Sequence, residues 1–253
     1  MGYSQSAMTA SVPSTTSPTT STPPASLWLL GLSLILIAAN LRPVFGSLSV
    51  VLPEIMRDTG LSATGASMLT TLPILCLGIF SAPTPALARR FGAERVLLLA
   101  LLLILIGTLL RAAGTLPMLF ASAVLAGAGI AMGNVLLPGL VKRNFAQKAA
   151  LMTGLYTLAV CAGASSAAAF TVPMEMHWFN GSWPYALAVW AGLAVITLLI
   201  WAPQALRARP IHTDAAARVG SLMRDKLAWQ VTFFMGLQSA LAYIVMGWMA
   251  PIL

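Results

Sequence analysis

The chain has 253 residues, of which 58% are hydrophobic and only 8% are charged, and its formal net charge is +8. Soluble domains carry about 25% charged residues. Six acids and fourteen bases cannot cover the core that a chain of this length would bury, so the composition excludes an ordinary soluble domain and predicts a surface covered by lipid. The basic residues lie in short connections and form no continuous face, which argues against nucleic-acid binding.

The first segment, 1–26, differs in composition from the rest of the chain. It is rich in Ser, Thr and Pro and has no charged side chain. Such a sequence neither packs a core nor forms a stable helix, so we expect a disordered cytoplasmic tail. It lacks the basic start of a secretory signal, which indicates that the apolar stretch after it is retained.

Seven apolar stretches then follow, each near the length of a membrane helix, which needs about 20 residues. We place them at 27–52, 64–87, 96–113, 117–141, 149–173, 184–202 and 227–253. The predicted fold class is an all-α membrane protein. Its predicted parts are a six-helix bundle over 27–202, a basic connection at 203–226, and a seventh helix that opens an incomplete second half.

Basic residues alternate between the predicted connections. Eleven follow the second, fourth and sixth stretches, whereas only Arg57 and Arg111 follow the first, third and fifth. The positive-inside rule therefore predicts a cytoplasmic N-terminus in a cell (inner) membrane. In and directly after the segment Met174 to Pro184, Trp178, Trp183 and Tyr185 are typical of an outer loop with an interfacial aromatic belt.

The most informative residue is a cation inside the first stretch. Arg42 lies beside Pro43 and two residues after Asn40. An Arg near the centre of a membrane helix costs roughly 2.5–3.5 kcal/mol, so such residues face a protein interior or a watery pathway. Pro43 cannot donate a hydrogen bond to the carbonyl of Ala39, which predicts a kink suited to gating.

The partner of Arg42 is open at this level. No acidic residue lies inside the predicted spans, and Glu54 is roughly 18 Å further along the helix axis. One interpretation is that the planar guanidinium binds a carboxylate or a cyanate-like anion. The other is a structural ion pair with a helix of the second half. A proton is a candidate coupling ion, but this half offers it no acidic carrier inside the predicted spans.

Other polar groups and helix breakers recur three stretches apart. Asn134 and Pro138 lie in the fourth stretch, where Asn134 is compatible with cavity lining and with plain interhelical bonding. Gln238 and Tyr243 lie about 140° apart on a helix, so we expect one of them to be structural, and Gln238 is the better candidate for binding a solute. Tyr156 is a weaker cavity candidate.

Small residues in the fourth and fifth stretches predict close helix packing. Gly129 and Gly133 are four residues apart, a spacing that lets membrane helices approach, and no strand precedes them as a dinucleotide-binding loop would require. Gly163, Ser165 and Ser166 precede a run of alanines and predict a second packing face.

Four runs of residues resemble a known family. They are AANLRPVF at 38–45, GIAMGNVLLPGLVKRNF at 129–145, TGLYTL at 153–158 and GLQSALAYIVMGWMAPIL at 236–253. In this order they resemble the cyanate and 2-nitroimidazole transporter branch of the major facilitator superfamily. The resemblance implies a twelve-helix transporter of small polar or anionic solutes, of which this chain holds the N-terminal six-helix bundle and the first helix of the second half.

The loop between the second and third helices keeps only part of that superfamily's pattern. Arg89, Arg90, Gly92 and Arg95 are the loop residues that we assign to the motif. Arg89 stands where the pattern usually has an Asp, so the usual acidic latch of the cytoplasmic gate is in question here.

The predicted function is transport of a small anionic or polar solute by alternating access, at a midplane site lined by Asn40, Arg42, Asn134 and Gln238. We expect no catalytic residue, cofactor or metal, because no nucleophile lies near a base and no ligand spacing occurs. The main alternative is an inactive fragment that lacks its C-terminal half. A drug exporter, a channel and an intramembrane enzyme are further alternatives.

Overall fold

The computed structural model describes residues 24–207 and 226–252, and every regular element in those ranges is a helix. This confirms the all-α fold class. The α-helices are α1 Pro24–Asn40, α2 Pro43–Thr59, α3 Ala63–Ser81, α4 Thr84–Phe91, α5 Ala93–Leu110, α6 Leu116–Asn144, α7 Ala149–Trp178, α8 Trp183–Ala188, α9 Ala191–Arg207 and α10 Lys226–Ile252. Short 3-10 turns lie at Arg111–Ala113 and Ala146–Lys148.

Six segments of the described chain are long and apolar enough to cross a membrane. They are Leu27–Thr59, Ala63–Ser81, Ala93–Ala113, Leu116–Asn144, Ala146–Trp178 and Trp183–Arg207. The predicted seventh span falls on α10, and that α10 crosses a membrane stays a prediction, as does the division of the chain into domains.

Four predicted span ends were wrong, and each error involves proline. The sixth span continues through Pro203 to Arg207. The first span continues through Pro53 to Thr59, and the fifth continues through Pro173 to Trp178. Membrane helices tolerate proline because neighbouring groups satisfy the freed carbonyl. The second span, in contrast, ends at Ser81, because Pro83 and the proline at the start of α4 separate the two helices.

The connection after α7 is shorter than the predicted outer loop. It covers only residues 179–182, since Met174 to Trp178 are helical. Trp178 and Tyr185 are exposed, as an aromatic belt requires, but Trp183 is 95% buried and its indole N–H donates to Asp58 Oδ2 at 3.1 Å. Trp183 therefore belongs to the packing between α8 and α2 and not to a belt.

The first span is interrupted at Leu41 and Arg42, where the kink was predicted. Pro43 is the first residue of α2 and has no N–H to continue the ladder of α1. The Leu41 N–H turns back to the Ala38 carbonyl at 3.1 Å, and Phe45 N–H restarts the ladder by bonding to the Arg42 carbonyl at 3.0 Å. The break therefore separates two half-helices within one span.

Glycines let α7 lie directly against both half-helices. A Cβ at Gly163 would overlap the carbonyl oxygen of Ala39, which is the carbonyl that Pro43 leaves without its helical donor. A Cβ at Gly46 would likewise meet the Ala164 carbonyl. The missing side chains bring the backbones of α1, α2 and α7 into contact around the break.

The central helix α6 also approaches three neighbours through glycine. Gly127 faces Pro73 of α3, Gly129 faces the Ala100 carbonyl of α5, and Gly133 faces Leu41 at the break. Each glycine thus packs on a different neighbour of α6. Residues of α1, α5 and α6 form the larger buried apolar cluster that surrounds these contacts.

We predict that Gly163→Ala lowers the free energy of unfolding by about 1–3 kcal/mol, because the added methyl overlaps backbone that cannot move independently. Gly154→Ala, in the same helix with open space around its Cα, is the matched control and is expected to be neutral or slightly stabilising. Thermal unfolding in detergent measures both. Equal stability of the two variants would contradict the close contact.

Candidate solute site and buried charged groups

Arg42 occupies the break in the first span and is half-buried. It is the N-cap residue of α2, and its side chain does not cap that helix. The N-terminus of a helix carries a partial positive charge, which favours anions. The backbone therefore adds to the charge of the guanidinium at the same point of the bundle.

Asn40, also predicted for this site, makes its contacts away from the break. Its side-chain amide donates to the Leu36 carbonyl and to Thr197 Oγ1 of α9, both at 2.8 Å, and the residue is 97% buried. Both amide hydrogens are thereby used in tying α1 to α9. The structure does not bring Asn40 and Arg42 together through a shared hydrogen bond, and a solute-binding role for Asn40 stays a prediction.

Asn134 lies near the break through its neighbour Gly133, which packs on Leu41. Asn134 is half-buried, and no hydrogen bond to its side chain is found among the residues that the structure describes. Pro138 lies one turn further along α6 and is half-buried. Asn134 thus has a free amide close to the level of Arg42.

The remaining predicted solute contacts lie on other helices. Tyr156 of α7 is half-buried against the larger apolar cluster. Gln238 is exposed on α10, which contacts α2. The side chain of Tyr243 lies outside the described residues. Gly133 and Leu41, the chain neighbours of Asn134 and Arg42, are in contact, and all of the solute-binding assignments remain predictions.

The loop motif after α3 lies at what we call the basic end, formed by the connections 82–92 and 145–148. Arg89, Arg90 and Arg95 are exposed there, and the Arg90 guanidinium lies 5.4 Å from the centre of the Phe91 ring. Gly92 has φ 91°, a conformation that favours glycine, and it separates α4 from α5.

An acidic group does link helices at the basic end, although not at the position of the usual Asp. Glu94, in the first turn of α5, forms an ion pair with Arg143 in the last turn of α6. The Glu94 carbonyl also accepts the Trp201 indole N–H of α9 at 3.2 Å. Glu94 thus joins α5 to α6 through its side chain and to α9 through its backbone carbonyl.

Sequence reasoning missed a second buried cation. It assigned Arg111 to an outer loop, but the structure buries 99% of this residue. Its guanidinium donates to Ser122 Oγ at 3.0 Å, to Ser47 Oγ at 3.3 Å and to the Val44 carbonyl at 3.2 Å. The available signal was its place inside the predicted third stretch, 96–113, where an Arg needs the same explanation as Arg42.

Sequence reasoning also excluded acids from the spans, and that was wrong. Glu54 lies in α2 and Glu175 in α7, each inside a candidate span. Glu175 is 96% buried and Glu54 is half-buried, and each residue has a buried Oε2 without a partner in the described structure. We call the region around Glu54, Asp58 and Glu175 the acidic end.

The sequence that forms this bundle matches a family model over most of its length. The Major Facilitator Superfamily model matches residues 22–253. The chain belongs to the Major Facilitator Superfamily. The six candidate membrane spans of the described chain agree with this membership.

Three characterised or catalogued transporters are similar to this superfamily member. It is 40% identical over 228 residues to the uncharacterized transporter YycB of Bacillus subtilis (strain 168) and 37% identical over 222 residues to the 2-nitroimidazole transporter of Escherichia coli (strain K12). These matches cover 90% and 87% of this chain but 56% of each relative. The cyanate transport protein CynX of Escherichia coli (strain K12) is 33% identical over 171 residues, which is 67% of this chain and 44% of the relative. The chain thus spans about half the length of the relatives that it matches.

We predict that Arg111→Ala lowers the free energy of unfolding by about 2–4 kcal/mol, because three hydrogen bonds from a charged donor are lost and a cavity remains. Arg111→Lys should recover only part of this stability, since one ammonium cannot reach the three acceptors in the guanidinium geometry. Arg89→Ala, an exposed cation, is the control and should change stability by less than about 0.5 kcal/mol. A loss after Arg111→Ala no greater than that of Arg89→Ala would contradict the buried network.

Proposed function

We propose that this protein transports a small anionic or strongly polar solute by alternating access, and that Arg42 binds the solute at the break between α1 and α2. The observation that carries the proposal is the position of Arg42 at the N-terminus of a half-helix inside a membrane span. In transporters, interrupted helices commonly direct half-helix N-termini at the anionic group of a substrate.

The electrostatics of the first turn of α2 support an anion over a cation. The Arg42 guanidinium lies at the N-terminus of this turn, and the buried Arg111 guanidinium donates to the Val44 carbonyl in the same turn. Neither ion pair found among the described residues involves Arg111. Two cations and a helix N-terminus in a low-dielectric region create a positive potential that a small anion would stabilise.

The finer choice of solute rests on the relatives. One is named as a 2-nitroimidazole transporter and another as a cyanate transport protein. A cyanate-like anion or a nitroimidazole-like heterocycle would present acceptor atoms to the planar donors of Arg42, and the half-buried Asn134 offers an amide with both a donor and an acceptor. Gln238 and Tyr243 of α10 are further proposed contacts, and Asn40 would act by fixing α1 against α9.

Transport by this mechanism needs two bundles that move against each other. The chain spans 56% of the length of YycB and 56% of the length of the 2-nitroimidazole transporter. We therefore propose that it corresponds to the first bundle and the opening helix of the second. An inactive fragment remains the competing proposal. A drug exporter, a channel and an intramembrane enzyme have no specific support in the arrangement of the described residues.

We also propose that the basic end faces the cytoplasm of a cell (inner) membrane, because exposed arginines and lysines are concentrated there. In a background with Cys76→Ala and Cys161→Ala, a thiol reagent that does not cross membranes should label Ala63→Cys on intact cells. It should label Gln147→Cys only after the cells are opened. The reverse pattern would overturn this orientation.

The central prediction concerns Arg42 in the longer transporter that carries this sequence. Arg42→Ala should abolish saturable uptake of cyanate or 2-nitroimidazole, because the cation at the break is removed, while the amount of protein in the membrane should not fall. Arg42→Lys should restore little uptake, since an ammonium lacks the planar pair of donors. Uptake at the parental rate with lysine would reject recognition by the guanidinium.

Two controls separate a binding role from a structural one. Lys148→Ala changes an exposed cation of the basic end and should leave the affinity for solute unchanged. The 253-residue chain alone, in proteoliposomes, should give no solute-specific flux, because groups meant to line a shared cavity would lack their partner bundle. Saturable flux by the isolated chain would instead indicate that two copies assemble into one transporter.

A further inference from the structure

The acidic end holds a pair of carboxyl groups that the proposed solute site does not use. Glu54 lies on the face of α2 that packs on α7, and Glu175 lies near the end of α7. Gly46 of α2 faces Ala167 of α7, and Glu54 and Glu175 each lie eight residues further along their helices, which places them at the same level. Like charges repel strongly in a low-dielectric site, so two neighbouring carboxylates there favour a state in which they share a proton.

The burial of Glu175 is produced by the described residues themselves, and Glu54 is half-buried. Glu175 is 96% buried, although it lies within a few residues of the exposed His177 and Trp178. The connection 179–182 folds back over it, and the Gly181 N–H donates to the Glu175 carbonyl at 2.9 Å. Further protein packed on this bundle would increase the burial and not relieve it.

One oxygen of each carboxyl group lacks a protein partner. Glu54 Oε2 and Glu175 Oε2 are both inaccessible to solvent and accept no hydrogen bond within the described structure. Buried carboxylate oxygens normally accept several hydrogen bonds, so an unpaired one indicates a missing ligand or a proton. No group of three or more possible metal ligands occurs among the described residues, which favours the proton over a metal ion.

Among the described residues, Arg57 is the cation whose charge acts on Glu175, and its side chain is exposed. On α2, Asp58 adds a second negative charge, and Arg57 is exposed and bonds to Asp58 at 3.5 Å. Helix α8 contributes Tyr185 as its titratable residue, and α1 contributes none. The cations of α6, Lys142 and Arg143, lie in its last turn at the basic end.

We infer that Glu54 and Glu175 form a proton-binding site at the acidic end, in which the two carboxyl groups share one proton. The donor carboxyl bonds to the acceptor carboxylate, so that the pair carries one negative charge instead of two. The site joins α2 to α7, the two elements that also meet at the break near Arg42. Separation of α2 and α7 would expose both carboxyl groups to water and release the proton.

The consequence for transport rests on the proposed function. A proton bound when α2 and α7 are in contact, and released when they separate, would couple proton movement to the rearrangement around Arg42. Binding of the proton itself requires no transport activity. The two statements can therefore be tested separately.

The first test is infrared spectroscopy of the purified 253-residue chain, which has only six acidic residues to contribute a carboxylic-acid C=O band. At neutral pH the parent should show this band, and the band should shift on exchange into deuterated water. Glu54→Gln and Glu175→Gln should each remove it, because the remaining carboxyl group no longer faces a like charge. The control Asp58→Asn should retain it.

Three outcomes would overturn the proton site. They are a parent without the band, a band that survives in the double variant Glu54→Gln with Glu175→Gln, and a band that appears only after sodium is removed. The last result would reassign the pair to a metal cation. Glu175→Asp, which keeps a titratable group, should retain or partly retain the band, and it distinguishes loss of the proton from a folding defect in the glutamine variants.

The second test uses the longer transporter with radiolabelled cyanate or 2-nitroimidazole as probe. Glu175→Gln should lose solute movement driven by a pH gradient and retain exchange of solute between the two sides, whereas Asp58→Asn should retain both. Gradient-driven movement that persists in Glu175→Gln would reject coupling. If the parent moves neither probe, the proposed solute is wrong, and the infrared result still decides the proton site.

Discussion

The missing N–H of Pro43 is the constraint on which the rest of the bundle depends. It ends α1 at Asn40 and starts α2 at once, so that one span becomes two half-helices. The carbonyls at the end of α1 and the positive N-terminus of α2 then lie in the interior of a membrane protein, where each polar group needs a partner. Much of the surrounding packing can be understood as meeting this need.

Three neighbouring helices meet the break, each by a different contact. The Asn40 side-chain amide donates a hydrogen bond to Thr197 of α9. Gly163 of α7 packs against the Ala39 carbonyl. Gly133 of α6 packs against the Leu41 side chain. Arg111 then donates to the first turn of α2 from the end of α5. Helices α5, α6, α7 and α9 therefore all contact the break, and Arg42 lies among these packed helices.

Charge is distributed along the first span in a definite order. Cations act on the break, while the acids Glu54 and Asp58 lie toward the far end of α2. This separation follows from the sequence of α2 alone, because a helix carries its residues along one axis at a fixed rise. An anion entering from the acidic end would therefore pass a negative region before it reaches the positive one.

Much of this fold could be predicted from local chemistry, and the exceptions share a cause. The apolar stretches and the break at Pro43 follow from composition and from the covalent structure of proline. The ends at Pro53 and Pro173 could not be predicted, because tolerance of proline depends on tertiary neighbours. These errors placed Glu54 and Glu175 outside the membrane, so that the carboxyl pair was missed.

The site was predictable in part for the same reason. An Arg next to Pro43 within an apolar stretch identified the region of interest from local sequence alone. The bond between Asn40 and Thr197, in contrast, joins residues 157 positions apart, and no local pattern indicates it. Arg111 was misplaced because a cation at the end of a span can turn toward solvent or toward the interior, and only packing decides between them.

The contact of Gly163 with the Ala39 carbonyl has a mechanical consequence. Flexible side chains between two helices would absorb a small displacement by changing rotamer, but two backbones in direct contact transmit it. A tilt of α1 would therefore also tilt α7, and the first and fifth spans would rotate together about a point near the break. Contacts in which side chains separate the helices deform more easily than contacts between two backbones. They would change first in any rearrangement.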